Sequence, residues 1–293
     1  MPKTLIYTEA GGDKGMGHVV RMGHLAKELL KQGETVGIIC DGVGETYIRK
    51  IGLSDCLHLS KLNNYNRVVV DVPETDNNML LDVGDGSQAV IVIVGTGWSI
   101  TPTTRQIADL IVYQGIAEPS REVLQSAGGY VLWGLDWLIL GSEYATVAHQ
   151  RQDDYALLYI GGGIPRDYAF EVYRCLNMFF DWVQVAPSDG QIFESMYTMQ
   201  KNCSVFVTTF GVTVYEAMRL GKPVICFSRS SDHAETANQL TDYITHVGLY
   251  DQAKPAIIAQ LALAQSVLPL NTYESPLDGI GTERLVQFIL EEL

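Results

Sequence analysis

The stretch TLIYTEAGGDKGMGHVVRMGHLAKELLKQG, Thr4–Gly33, decides the fold class. Thr4–Thr8 is a short apolar run of strand type. A glycine-rich loop follows, Gly11–Gly17. From His18 to Gln32 the apolar residues fall at Val19, Met22, Leu25, Leu29 and Leu30, the spacing that puts them on one face of a helix. Gly33 stands just past its end, where a helix commonly stops. Thr35–Cys40 (TVGIIC) is the next strand.

Further strands are expected at Arg67–Val72, Ala89–Val94 and Leu110–Tyr113. These runs are continuously apolar rather than alternating. Strands buried on both faces have that pattern, which points to a parallel sheet. The second half repeats the plan. It has a strand at Tyr155–Ile160, a second glycine loop at Gly161, Gly162 and Gly163, and a helix over Tyr168–Phe180. Strands at Trp182–Ala186, Ser204–Thr208 and Val224–Ser228 then alternate with helices at Ile192–Lys201, Thr213–Leu220 and Ala234–Tyr243. A chain of 293 residues has room for two domains. The polar stretch Ala145–Asp154 reads as the linker, giving domains 1–148 and 149–293, both of α/β, Rossmann-like type.

Composition excludes several classes. Apolar residues at 47% against charged residues at 18% describe a folded chain. No apolar run reaches the roughly 18 residues of a membrane span, and Tyr130–Leu140 is broken by Gly134 and Asp136. With no secretion signal either, a cytoplasmic protein is expected. Cys40, Cys56, Cys175, Cys203 and Cys226 are scattered, as buried free thiols would be. The formal charge of −14 argues against nucleic acid as a partner without forbidding a local basic site. Arg21, Arg166, Lys222 and Arg229 would be enough to meet a phosphate.

Two stretches carry chemistry. Gly15, Gly17 and His18, with Arg21 one turn on, place a histidine at a helix entrance. The free amides there favour an anion. The positive helix end disfavours a charged imidazole, so His18 reads as a neutral base. The alternative is an ordinary polar helix start. The second stretch is Thr209–Met218, in which Gly211 turns the chain into a helix. Its amides, with Gly211, Val212 and Thr213, suit a diphosphate, and Glu216 suits the two hydroxyls of a ribose. The alternative is a capping box in which Glu216 serves its own helix start with Thr213. Asp232, His233, Glu235 and Asn238 open a further polar helix, with simple capping by Asp232 as its alternative.

The order of four motifs, G-x-G-H-x-x-R (Gly15, Gly17, His18, Arg21), G-S-E-Y (Gly141–Tyr144), G-G-x-x-P (Gly161, Gly162, Pro165) and G-x-T-x-x-E-A (Gly211, Thr213, Glu216, Ala217), resembles one family. It is similar to the SpsG/PseG proteins of spore-coat polysaccharide and pseudaminic-acid pathways, relatives of the glycosyltransferase MurG with the GT-B fold. The resemblance spans nearly the whole chain. It implies two Rossmann-like domains facing across a cleft, with UDP held mainly by the second. It also implies that His18 is the base, Glu216 the ribose ligand, Gly211 and Thr213 the diphosphate loop, and Asn238 a residue near the sugar. Phe210, Val212, Ile164 and the Ala234–Glu235 pair depart from the family pattern.

The expected activity is metal-independent, inverting transfer of a sugar from a UDP-sugar to an unidentified acceptor. His18 or Asp13, with Glu9 a weaker candidate, would take the acceptor's proton. Gly17, Arg21, Gly161, Gly162, Gly211, Val212, Thr213, Glu216, Arg229 and Asn238 would bind the donor. The alternative is a PseG-like hydrolase using water at the same site. A non-catalytic binding module is the third reading. No cofactor beyond the donor substrate is expected, since no D-x-D carboxylate pair follows a strand.

Overall fold

The computed structural model describes residues 3–11, 15–59, 65–72, 80, 86–95, 100–146, 155–161, 163–186, 196–268 and 275–293. The chain divides into two compact units, Met1–Ser142 with Ile280–Leu293, and Glu143–Gly279. Among the described residues no helix is long and apolar enough to cross a membrane.

The first unit holds β1 (Lys3–Thr8), β2 (Thr35–Ile39), β3 (Arg67–Asp71), β4 (Ala89–Val94), β5 (Leu110–Tyr113) and β6 (Tyr130–Leu132). They form one sheet in the order β2-β1-β3-β4-β5-β6, every neighbouring pair parallel. Its helices are α1 (Gly17–Lys31), α2 (Gly42–Lys50), α3 (Ser54–Leu59), α4 (Pro102–Ile107) and α5 (Arg121–Ser126). Val19, Met22, Leu25 and Leu29 of α1 pack on Ile6, Val69 and Ile91 to make one core layer. Leu5, Val68, Val70 and Val92 face the opposite layer with Leu80 and Ile100. Alternate residues of each strand thus enter two cores, which is why the runs are apolar without interruption.

The second unit holds β7 (Ala156–Tyr159), β8 (Val183–Ala186), β9 (Val205–Thr209), β10 (Val224–Ser228) and β11 (Thr245–Leu249). Its sheet runs β11-β10-β9-β7-β8 and is again parallel. Helices α6 (Arg166–Leu176), α7 (Met196–Asn202), α8 (Val212–Arg219), α9 (Ser231–Asn238) and α10 (Pro255–Ser266) complete it. Val172 and Leu176 of α6 meet Ile258, Ala259 and Ala262 of α10 over Val205 and Ile225.

The last helix, α11 (Gly281–Glu292), packs in the first unit, whereas the sequence reading places 149–293 together. The Thr282 hydroxyl donates to the Leu140 carbonyl at 2.7 Å and accepts from the Leu140 amide at 2.9 Å. Leu285, Val286 and Ile289 join the α1 core, and Phe288 meets Tyr130 and Trp137 edge-on at 5.1 and 5.9 Å. Of the linker residues 145–154, those from 147 onward lie outside the described residues.

The chain reaches α11 through Gly279, whose φ is +79°. A Cβ there would sit 2.3 Å from the Tyr144 carbonyl oxygen. Only glycine suits both the left-handed backbone and the space. Gly279→Ala is expected to lower stability by roughly 2–4 kcal/mol, read as a drop in the urea midpoint with unchanged slope.

Several elements were not read from the sequence patterns: α2, α3, α4 and α5 in the first unit, and β6, β11, α10 and α11. Strand β6 has three residues at a sheet edge. Helix α10 carries no charged residue, so no apolar stripe stands out against a polar face. Cys56, Cys203 and Cys226 are buried free thiols as expected, whereas Cys40 and Cys175 are half-buried. Burial pushes Cys40 and Cys203 up to about 12 and Cys226 higher still.

Candidate functional site

In the first unit a backbone bond between Gly11 and Gly15 precedes the α1 entrance. The Gly11 amide donates to the Gly15 carbonyl at 3.0 Å, and Gly15 turns the chain with φ +74°. Helix α1 then starts at Gly17 after Met16, with no side chain capping it and no acidic residue in its first turn. His18 and Arg21 are one turn apart and share a face. Both are buried, at 7% and 4% exposure.

Each turns to Asp71, the last residue of β3, which has no exposed surface. Arg21 Nε donates to Asp71 Oδ2 and Arg21 Nη2 to Oδ1, both at 2.6 Å. His18 Nδ1 lies 2.6 Å from the same Oδ1. Burial alone would raise the Asp71 carboxyl. The Arg21 and His18 contacts outweigh it, so the group is held below the usual carboxylate range. Arg21, expected among donor ligands, therefore commits two of its donors to an internal carboxylate.

In the second unit, Gly211 is the cap residue of α8 and supplies no side-chain cap to the amides of its first turn. Thr213 is thus the second helical residue and Glu216 the fifth. A capping box needs the cap and third positions, so that alternative fails. Gly211 is extended, with φ 172°, and a Cβ there would meet open space. Gln200 on α7 fixes this entrance from behind. Its Nε2 donates to the Thr213 carbonyl at 3.0 Å, and its Oε1 accepts from the Tyr144 hydroxyl at 3.0 Å.

Glu216 is 4% exposed, and its Oε2 has no hydrogen-bond partner among the described residues. Burial, helped by Glu143, pushes its carboxyl up to about 8, opposed by the neighbouring Tyr144 hydroxyl. Its presence in turn helps raise Tyr159, at the end of β7, to about 12, after burial. A buried carboxyl oxygen without a partner is costly, on the order of 1–3 kcal/mol or more. A ligand hydroxyl would satisfy it.

The remaining expected residues divide. The Gly161 amide donates to Thr209 Oγ1 at 3.0 Å, which ties the second glycine loop to the end of β9. Arg229 lies over that loop, with its Cδ 3.7 Å from where a Cβ on Gly163 would be. His233 also stands near the α8 entrance, its ring edge-on to Phe210 at 6.1 Å and its Nδ1 2.7 Å from Ser230 Oγ. Burial first, then Arg229, lowers its pKa to about 4. Ser230, not Asp232, caps α9.

Asn238 is expected near the sugar of the donor. It ends α9, roughly 10 Å along the axis from the first residue, and its Oδ1 takes a 2.7 Å hydrogen bond with His246 Nδ1. It thus meets β11, whereas Asp232 and His233 stand in the first turn of α9. Lys222, 3% exposed, donates from Nζ to the Cys203 carbonyl at 2.9 Å. Asp13 and Gly162 lie outside the described residues.

Sequence reasoning missed Asp71, Gln200 and the role of Tyr144. Asp71 had a signal, a charged residue ending the otherwise apolar run RVVVD. At the carboxyl end of a buried parallel strand such a residue faces the usual ligand side of the sheet.

No protein-family model matches the sequence, and no curated protein does. Solved structures do. MurG of Acinetobacter baumannii superposes with a TM-score of 0.63 at 13% identity, over 99% of this chain and 100% of its own. The glycosyltransferase of kitacinnamycin gives 0.61 at 12% identity, over 100% and 99%. A UDP-GlcNAc 2-epimerase of Methanocaldococcus jannaschii, in complex with UDP-GlcNAc and UDP, gives 0.58 at 11%, over 98% and 99%. At these identities the likeness shows the fold: an α/β chain of two Rossmann-like units, the GT-B type.

Proposed function

We propose that this chain, with the fold shared by MurG and the kitacinnamycin glycosyltransferase, transfers a sugar from a UDP-sugar to an acceptor hydroxyl. One observation carries the reading: the buried Oε2 of Glu216, without a partner among the described residues, one turn inside a helix entrance whose cap residue is a glycine. Donor hydroxyls of a ribose answer that oxygen, and the α8 amides answer a diphosphate. Of the structural neighbours, the epimerase holds UDP and UDP-GlcNAc, which supports the choice of nucleotide. The four motifs shared with SpsG/PseG proteins support the same site.

In this reading the Val212 and Thr213 amides and Arg229 stabilise charge on the leaving diphosphate, each well-placed donor worth about 3 kcal/mol. His18 accepts the acceptor's proton as its oxygen bonds to the anomeric carbon. The carbon–oxygen bond to the diphosphate breaks and its electron pair leaves with UDP. Helix-end amides supply the electrostatics, so no bound metal is called for. Water in the acceptor's place makes the same residues a hydrolase.

Thermal shift tests the reading. UDP at about 100 times its dissociation constant adds about 2.7 kcal/mol, a rise of several degrees, while ADP and GDP leave the midpoint in place. A midpoint unmoved by UDP would reject the proposal. Stoichiometric release of UDP from a UDP-sugar without acceptor would identify the hydrolase.

A further inference from the structure

We infer that Arg219 is a positioning residue of the second unit: by gripping both segments through which the chain enters and leaves that unit, it fixes the entrance of α8 from the helix's far end and so sets nucleotide affinity. The inference rests on the reading of that entrance as the nucleotide site.

Arg219 is the last residue of α8, three beyond Glu216. An arginine there suits the negative helix end, where it commonly bonds the last carbonyls of its own helix. This one reaches other segments instead. Nε donates to the Tyr144 carbonyl at 2.8 Å, Nη2 to the Ala145 carbonyl at 3.0 Å and Nη1 to the Leu277 carbonyl at 3.0 Å. The second unit begins at Glu143 and ends at Gly279, so all three acceptors lie within two residues of its boundaries, on both passages of the chain. A planar guanidinium with a donor on every nitrogen can hold three carbonyls in fixed directions, which an ammonium cannot. Gly279 completes the fit. A Cβ there would lie 2.6 Å from Arg219 Nε and 2.3 Å from the Tyr144 oxygen, so its absence lets the returning chain close on the bond between them.

The grip reaches the other end of the helix through Tyr144. Arg219 holds the Tyr144 carbonyl, and the Tyr144 hydroxyl donates to Gln200 Oε1. The Gln200 amide in turn donates to the Thr213 carbonyl at the α8 entrance. The same hydroxyl neighbours the Glu216 carboxyl. Thr213 and Arg219 are about 9 Å apart along the helix. Helix and brace thus close a circuit, from Arg219 through Tyr144 and Gln200 to Thr213 and back along α8. Tyr144 and Gln200 are fully buried, so bulk water does not replace a broken link. Links in such a buried network support one another. Releasing Arg219 frees Tyr144, and with it the bond that steadies the first turn of α8.

Hydrogen exchange of the full-length, ligand-free chain, read by mass spectrometry, tests the circuit. In Arg219→Met the stretches 141–146 and 275–281 are expected to exchange about tenfold faster. The α8 entrance, 211–216, is expected to loosen with them, although the Arg219 side chain makes no hydrogen bond to it. UDP affinity, read by titration calorimetry, falls about tenfold. Val172→Ala separates positioning from general stability. It weakens the core of the same unit without touching the circuit, and is expected to leave UDP affinity within about twofold of wild type. Arg219→Lys keeps the charge with fewer fixed donors and falls between wild type and Arg219→Met. It decides the matter if the methionine variant does not fold. An α8 entrance that exchanges at the wild-type rate, or UDP bound as tightly as by wild type, would overturn the inference. UDP bound by neither protein would reject the proposed function instead, and exchange at 211–216 alone then decides whether Arg219 positions the entrance.

Discussion

Glu216→Gln is expected to weaken UDP binding about 100-fold, yet to stabilise the ligand-free protein at pH 9 and leave it nearly unchanged at pH 4. The binding loss follows from hydrogen-bond chemistry. A carboxylate accepts from both ribose hydroxyls, whereas the carboxamide accepts from one and presents donors to the other. Hydrogen bonds to a charged group are worth about 1.5–3 kcal/mol, and about 1.4 kcal/mol is tenfold in affinity.

The stability gain follows from linkage. The carboxyl ionises near 4.5 when unfolded and is raised to about 8 when buried. Between those values the folded chain binds the extra proton, so stability falls as pH rises through that window and stays lower above it. Glutamine lacks that loss, so the advantage of the variant grows from about pH 4.5 to about 8 and then levels. It amounts to a few kcal/mol, at about 1.4 kcal/mol for each tenfold in proton affinity. Urea unfolding at pH 4, 7 and 9 measures it.

The same carboxyl couples binding to protons. Ribose hydroxyls stabilise the ionised form, so UDP binding below about pH 8 releases a proton. Affinity then rises with pH and levels above that value. Titration calorimetry in buffers of different ionisation enthalpy reads the proton directly. Uridine should be titrated alongside UDP, because a terminal phosphate also titrates, near pH 6 by analogy with phosphorylated side chains. Uridine affinity that is flat from pH 6 to 8 would show that Glu216 does not meet the ribose.

His18→Gln is expected to lower kcat about 10²–10⁴-fold, the usual worth of a general base, with UDP affinity within about twofold of wild type. The separation is expected because His18 belongs to the first unit and Glu216 to the second. Glutamine is preferred to alanine because its amide can still donate to Asp71. Asp71 also keeps both bonds from Arg21, so the fold should persist. A variant that turns over like wild type would mean that another group takes the proton.

Local periodicity determined much of this protein without any structure. The apolar runs Thr4–Thr8, Arg67–Val72 and Ala89–Val94 marked buried parallel strands, because two-sided burial leaves no room for polar alternation. Gly15–His18 and Gly211–Glu216 marked helix entrances, because glycine turns and a shift to helical spacing are written within a few residues. Tertiary structure alone decided which partners the side chains at those entrances meet. Asp71 follows Arg21 by 50 residues and reaches it only because β3 lies beside β1 in the sheet. Glu216 is freed from capping by which residue the backbone uses as the cap, and the helix entrance before it is braced by Tyr144 through Gln200, 56 residues further along the chain. Asn238 shares a helix with His233 but stands at its far end, bonded to a strand that the pattern did not reveal. Spacing along a chain sets the face and the turn. Partners distant in sequence are chosen by packing, because burial forces each polar group to find whichever complement the fold brings within reach.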